Sequence, residues 1–296
     1  MILNFQKVTN FILKIIALVL MTLDHIGVFL VGYASEQVFS NPMFMTGYVF
    51  RCIGRLAFPL FILLLVEAIR NTKNIKLYML RIGIITTLVL IAQVIIYYLV
   101  DSGIESALSP LIDLSLCGVT LMLLKRKDKL SFLSIIPIAY IFLVTIIQCY
   151  EISSDVSVKW LPFYIRPGYS LLGLCLSLLF YYSYSFSKLW VKKYNVDQES
   201  IEKTPYYRSL TNIFMAASLV VVCILIYCLS LISINGKVIF DIYTSSVQTW
   251  CLFSTIIILM YNGKLGYHKK WFQYGNYLYF PVHIVIIFLI FFLIFK

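Results

Sequence analysis

The chain has 296 residues, 61% of them apolar or aromatic and only 12% charged, with a mean hydropathy of +0.92 and a formal net charge of +11. Soluble domains carry about 25% charged residues; a chain with half that charge exposes far too much apolar surface for water, so its solvent is lipid. A nucleic-acid partner is excluded as well, because such binding needs a basic domain, and the largest polar stretch, 188–209, mixes five basic with three acidic residues.

Runs of about 20 apolar residues are long enough to cross a hydrocarbon core of roughly 30 Å. Nine are read here, at 11–32, 46–69, 77–100, 107–124, 130–149, 164–186, 210–233, 240–260 and 277–295. They predict an all-α polytopic membrane bundle of about nine transmembrane helices; alternating ten-residue strands, the mark of a barrel, are absent. The first run is too long for a signal peptide, carries Asp24 and His25, and lacks a small-residue cleavage site, so it reads as a retained helix. The whole chain, 1–296, reads as one transmembrane domain, since no connection exceeds about 25 residues and an independent module needs more. No internal repeat supports an inverted-repeat transporter. The longest cytoplasmic connection, 188–209, contains Pro205 and reads as a solvated linker.

Loop charge gives the orientation. Lys7 and Lys14 flank the first run; the later basic connections carry Arg70, Lys73, Lys76 and Arg81, then Lys125 to Lys129, then Lys188 to Arg208, then Lys264, Lys269 and Lys270. The alternate connections hold Glu36, Asp101 and Glu105, Glu151 and Asp155, and Asp241, with few positives (Lys159, Arg166, Lys237). This alternation places the basic loops in the cytoplasm, with the N-terminus inside, the C-terminal Lys296 outside, and the protein in the cytoplasmic membrane. The seven cysteines fall in or beside apolar runs without any Cys-x-x-Cys, so they read as small packing residues, and no metal is implied.

An ionisable side chain inside a membrane span costs about 3 kcal/mol, which makes each one a candidate for function. Asp24 and His25 lie in the outer half of the first helix, Arg51 and Arg55 in the outer half of the second, and Glu67 near its inner end. Asp113 sits in the fourth and His283 in the last. Adjacent residues point about 100° apart on a helix, so Asp24 cannot orient His25. Arg51 and Arg55, four apart, share a face, and one of them is the partner expected for Asp24. Such a pair either ties two helices together or builds a site. Pro59 cannot donate to the carbonyl of Arg55, and Pro281 cannot donate to that of Tyr277, so both helices should kink there. His25 and His283 lie within apolar runs, where an imidazole can take or give a proton near neutral pH; His268, in a basic loop, reads as solvated.

Several stretches, in order, resemble the TraX family: Leu13-Lys14-Ile15-Ile16-Ala17 through Thr22-Leu23-Asp24-His25-Ile26-Gly27, Ile53-Gly54-Arg55-Leu56-Ala57-Phe58-Pro59-Leu60-Phe61, and Glu67 followed by Arg70-Asn71-Thr72. The resemblance resumes at Tyr261-Asn262-Gly263-Lys264 and at Tyr279-Phe280-Pro281-Val282-His283. The family is named for the protein that acetylates the N-terminus of F-type conjugative pilin, and is grouped with the acyltransferase type 3 membrane enzymes. Those relatives carry Arg-x10-His in their first helix; here Lys14 and His25 have that spacing, which keeps the charge and loses the bidentate fork of arginine.

The resemblance implies an integral membrane acyltransferase. It would move an acetyl group from acetyl-CoA, or another acyl-CoA, to an extracytoplasmic amine or hydroxyl on a protein N-terminus or a glycan. His25 would be the general base or a transient acyl carrier, Arg51 and Arg55 the oxyanion stabilisers, Asp24 their partner, and Lys14 the contact to the CoA donor. His283 completes that site if the last helix packs against the first. Two other readings stand beside it: a proton-coupled transporter or flippase using Asp24, His25, Arg51 and Arg55 as a relay, and a non-catalytic membrane assembly partner.

Overall fold

A computed structural model of the protein describes residues 5–99, 110–126, 128–193, 204–234, 236–238, 240 and 247–295. The expected loop residues Asp101, Glu105, Lys127, Lys203, Asp241 and Lys296 lie outside them, as do Val100, 107–109 and 241–246 of the expected spans.

The architecture is all-α. The helices are α1 (Asn10–Tyr33), α2 (Pro42–Gly54), α3 (Ala57–Asn71), α4 (Ile75–Leu99), α5 (Pro110–Leu124), α6 (Ile135–Ser154), α7 (Ser170–Lys193), α8 (Pro205–Ser230), α9 (Ser254–Met260) and α10 (Lys270–Ile294). Helices α2 and α3 follow one another through a single apolar stretch, Pro42–Asn71. Among the described residues there are therefore nine helical segments, one for each expected span. Seven are long and apolar enough to cross a membrane; α5 and the segment Gln248–Met260, which opens as a 3₁₀ turn before α9, are shorter. The only strands described are β1 (Ser233–Ile234) and β2 (Lys237–Val238), a two-residue antiparallel hairpin.

Lipid exposure is visible on the helices themselves. On α4, Leu80, Ile84, Leu88, Ile91 and Ile95 are all exposed and recur every three or four residues, forming an apolar stripe that water would not tolerate. The protein is a multi-pass membrane protein.

Local chemistry sets the helix ends. Thr9 caps α1, its Oγ1 accepting from the Ile12 amide. Asn41 caps α2, accepting from Met43 and Phe44, with Pro42 at the first helical position where a missing N–H costs nothing. The expected break in the second span falls at Arg55 and Leu56, ahead of Pro59, and separates α2 from α3. Pro281, by contrast, lies inside a continuous α10. The sixth span starts later than the apolar run suggests, at Ser170 in place of 164, because Arg166 is held in a loop by Glu151 at 2.5 Å and by the Leu161 carbonyl at 2.9 Å. The last starts earlier, at Lys270 in place of 277.

The chain packs as two compact units interleaved in sequence. One is formed by Met1–Phe61, Phe186–Val220 and Ser245–Lys296, the other by Ile62–Ser185 and Val221–Thr244.

In the second unit, buried polar groups tie neighbouring helices together. Asp113 of α5, 1% exposed, accepts from the backbone N–H groups of Gly168 (2.7 Å), Tyr169 (3.0 Å) and Ser170 (2.7 Å) at the start of α7. Its carboxylate therefore satisfies a helix N-terminus that would otherwise be bare in a water-free interior. Thr86 of α4 meets Ser115 of α5 at 2.8 Å. Glu67 accepts from the Tyr184 hydroxyl and from Asn71 at 2.9 Å, while the Arg70 guanidinium lies 3.6 Å from the centre of the Tyr184 ring.

Candidate functional site

The site is built within the first unit, on α1. One side of α1 meets α2 along a seam of glycines. A Cβ added at Gly27 would lie 2.7 Å from the Gly47 carbonyl oxygen and 2.8 Å from Cγ of Arg51; one at Gly54 would lie 2.3 Å from Cβ of Asp24. Only glycine lets the two backbones approach so closely, as small residues do in membrane helix pairs generally. The pairing of Gly27 with Gly47 and of Asp24 with Gly54 makes the two helices antiparallel.

That approach delivers Arg55 to Asp24. Nη2 of Arg55 lies 3.1 Å from Oδ1 and 3.4 Å from Oδ2, with side chains only 13% and 17% exposed. Arg55 is the C-cap of α2, its own amide donating back to the Arg51 carbonyl at 3.1 Å, so the cation also sits at the negative end of a helix. Both Arg51 and Arg55 lie near enough to His25 and Asp24 to interact with them electrostatically.

The other side of α1 meets α10. His25 Nδ1 lies 2.7 Å from His283 Nε2, and His283 Nδ1 lies 2.8 Å from the Tyr279 carbonyl oxygen. The Tyr279 ring stacks on the His283 imidazole at 5.0 Å, nearly parallel. Thr22 donates its one hydroxyl proton to the Leu18 carbonyl at 2.9 Å, so at the 2.6 Å contact with Tyr279 it is the tyrosine that donates. Aromatic pairs extend this contact both ways: Phe11 with Phe272, Phe29 with Phe291, and Tyr33 with Phe295. Contacts advance together along both helices, so α1 and α10 run parallel. The start of α1 is stapled by backbone to the segment that leads into α10, since the amides of Asn10 and Phe11 donate to the carbonyls of Lys264 and Leu265 at 2.8 and 3.1 Å.

Compared with known protein families, the chain matches the one described as TraX protein over residues 10–166, more than half of its length. It belongs to the TraX family. No curated protein and no solved structure matches it.

The TraX match takes in Lys14, Asp24, His25, Arg51, Arg55, Glu67 and Asp113; His283 and Tyr279 come from beyond it. Of the residues singled out in the sequence, the fold of this TraX protein gathers Asp24, His25, Arg51, Arg55 and His283 around α1. Lys14 lies half-buried near the start of the same helix, eleven residues before His25. Asp113 and Glu67 are occupied in the other unit, with the α7 N-terminus and with Tyr184 and Asn71. No group of three His, Cys, Asp or Glu among the described residues is placed to hold a metal ion.

Sequence reasoning gave no role to Thr22 and Tyr279, or to Gly27, Gly47 and Gly54. The first two were visible as polar residues three and four positions from a histidine, on the same helix face in each case. The signal for the glycines was the seven-residue spacing of Gly47 and Gly54. The motif Tyr261-Asn262-Gly263-Lys264 also has a structural explanation. Asn212 donates to the Tyr261 carbonyl at 2.6 Å, Arg208 lies over the Tyr261 ring at 4.3 Å, and Gly263, with φ of +73°, passes beside the Arg208 side chain.

Proposed function

We propose that this TraX-family protein is a membrane-bound acetyltransferase, which takes the acetyl group of cytoplasmic acetyl-CoA and delivers it to an amine or hydroxyl outside the membrane, with N-acetylation of pilin as the guiding example. The observation that carries the reading is the convergence of His25, His283, Arg55 and Asp24 on one half-buried stretch of α1. A family resemblance alone would not distinguish an enzyme from an assembly partner.

Each residue has a role that its surroundings support. His25 removes a proton from the acceptor as it attacks the thioester carbonyl. The cationic pair Arg51 and Arg55 faces the negative charge that develops on the carbonyl oxygen, where a water-poor setting strengthens the attraction. Asp24 holds Arg55 in place and limits the cost of burying it. Lys14 lies about 16 Å from His25 along the helix axis at 1.5 Å per residue, a span comparable to an extended pantetheine arm. It meets the CoA phosphates at the cytoplasmic headgroups while the thioester reaches His25.

The test is acetyl-CoA-dependent labelling of a peptide bearing a free N-terminal amine by purified protein in lipid nanodiscs, beside a His25→Ala control. A proton-coupled transporter is the second reading, favoured by one observation: two hydrogen-bonded imidazoles in a membrane can pass a proton between them. Substrate counterflow in liposomes without consumption of acetyl-CoA would establish it and exclude the enzyme.

A further inference from the structure

Which nitrogen of His25 acts as the base is decided by a chain of three groups. A backbone carbonyl can only accept, so His283 Nδ1, 2.8 Å from the Tyr279 oxygen, carries the hydrogen. A neutral imidazole has one N–H, so His283 Nε2 offers its lone pair. That atom lies 2.7 Å from His25 Nδ1, which must therefore be the donor. The remaining nitrogen of His25, Nε2, keeps its lone pair free for chemistry.

The anchor of this chain is itself fixed at both ends. Tyr279 supplies the carbonyl from its backbone, stacks its ring on His283, and donates its hydroxyl to Thr22 across the α1–α10 contact. His283 is 5% exposed, so no bulk water competes for its nitrogens. Asp24, the carboxylate nearest in sequence, cannot take over this orienting role, because it is engaged by Arg55 on the α2 side of α1.

We propose that His283 is a positioning residue which holds His25 in the Nδ1–H tautomer, so that His25 Nε2 is the base, and which shelters the Nδ1 proton during the transfer. The inference rests on the acetyltransferase reading. As the acceptor atom bonds to the acetyl carbon, its proton moves to His25 Nε2, and the Nδ1 proton shifts to His283 Nε2. Positive charge then resides on His283, whose Nδ1–H remains on the Tyr279 carbonyl. When the C–S bond breaks, His25 Nε2 returns a proton to the CoA sulfur and Nδ1 recovers its own. One acetyl group is transferred, one thiol is formed, and no net proton is gained. A neutral imidazole thus stands where many hydrolases use a carboxylate.

The test uses full-length protein, 15N-labelled at histidine, in lipid nanodiscs. In the wild type, NMR should show His25 protonated at Nδ1 and bare at Nε2. His283→Phe should shift His25 toward Nε2–H and lower the rate of acetyl transfer from acetyl-CoA to an amine-bearing peptide by about 10²-fold, the lower end of a general base's contribution. The KM for acetyl-CoA should not move. His283→Gln, whose side-chain carbonyl can accept near the position of Nε2, should restore both the tautomer and most of the rate. A wild-type His25 carrying its hydrogen on Nε2 overturns the inference, and so does His283→Gln matching His283→Phe in rate while keeping the Nδ1–H form. Wild-type protein with the expected tautomer but no acetyl transfer refutes the enzyme reading, and the tautomer, read without substrate, tells that failure apart.

Discussion

His25 and Asp113 are both ionisable residues inside apolar helices, and their surroundings separate them. The carboxylate of Asp113 is fully engaged by three backbone donors, whereas one nitrogen of His25 is held and the other is available. Replacing Asp113 with alanine orphans those amides, each costing about 1–3 kcal/mol when buried and unpaired. Asp113→Ala should therefore lower the thermal midpoint in detergent, while the protein that remains folded turns over normally. His25→Ala loses a single hydrogen bond, to His283, so insertion and midpoint should stay near normal while acetyl transfer falls 10²–10⁴-fold. Equal loss of stability in both would contradict the distinction. Arg55 combines the two roles. Truncating it strands Asp24 at a cost of about 3 kcal/mol or more, so Arg55→Ala should lose both midpoint and activity. Asp24→Leu in the same chain should recover part of the midpoint and none of the activity.

Helix pairs carry the next level of organisation, and the two contacts of α1 differ in kind. Toward α2 the contact is steric, a glycine seam with no room for a side chain. Gly54→Leu would drive carbon atoms into the Asp24 backbone, so it should separate the helices, break the Asp24–Arg55 pair and abolish function. Gly32→Ala, near the end of α1, has open space around it and should be silent. Toward α10 the contact is polar and aromatic. Tyr279→Phe keeps the stacked ring and the carbonyl while removing the hydroxyl donated to Thr22. Interhelical hydrogen bonds in membranes average about 0.6 kcal/mol, so chemical denaturation should register a small loss and the His25 tautomer should stay as it is. A large change in tautomer in Tyr279→Phe would mean that the hydroxyl, and not the carbonyl, governs the histidine pair.

For the molecule as a whole, the parallel alignment of α1 and α10 bears on topology. Two parallel spans are an even number of steps apart, and in a nine-span path the first and the last are eight steps apart. Cysteine placed at Ser154, in a background without the native cysteines, should react with an impermeant thiol reagent in intact cells, and cysteine at Ser200 should not. Equal labelling of the two would refute the nine-span path. The short helix α5 and the segment Gln248–Met260 are the places where that path is most exposed to such a test.

Class, approximate span positions and the charged residues that the fold brings around α1 were legible in the sequence, because lipid imposes a rule on every residue it touches. Backbone in lipid must satisfy its own hydrogen bonds, so an apolar run reads as helix, and a charge within it must have a reason. The same rule exposed Asp24, His25, Arg51, Arg55 and His283 one at a time, and the break ahead of Pro59 followed from a missing amide hydrogen. Composition could not tell an ionisable group whose partners are all supplied from one with a nitrogen left available. Asp113 and His25 looked alike until the loop at 168–170 was seen to fold its amides onto the former and α10 was seen to lay an imidazole against the latter. Nor could the sixth span's true start be read from hydropathy, since an Arg166–Glu151 bond fifteen residues apart delays it. The pairing of His25 with His283 spans 258 positions. Hydropathy sees only neighbours along the chain, and a hydrogen bond of 2.7 Å across two helices depends on their rotation and register, which side-chain packing alone decides.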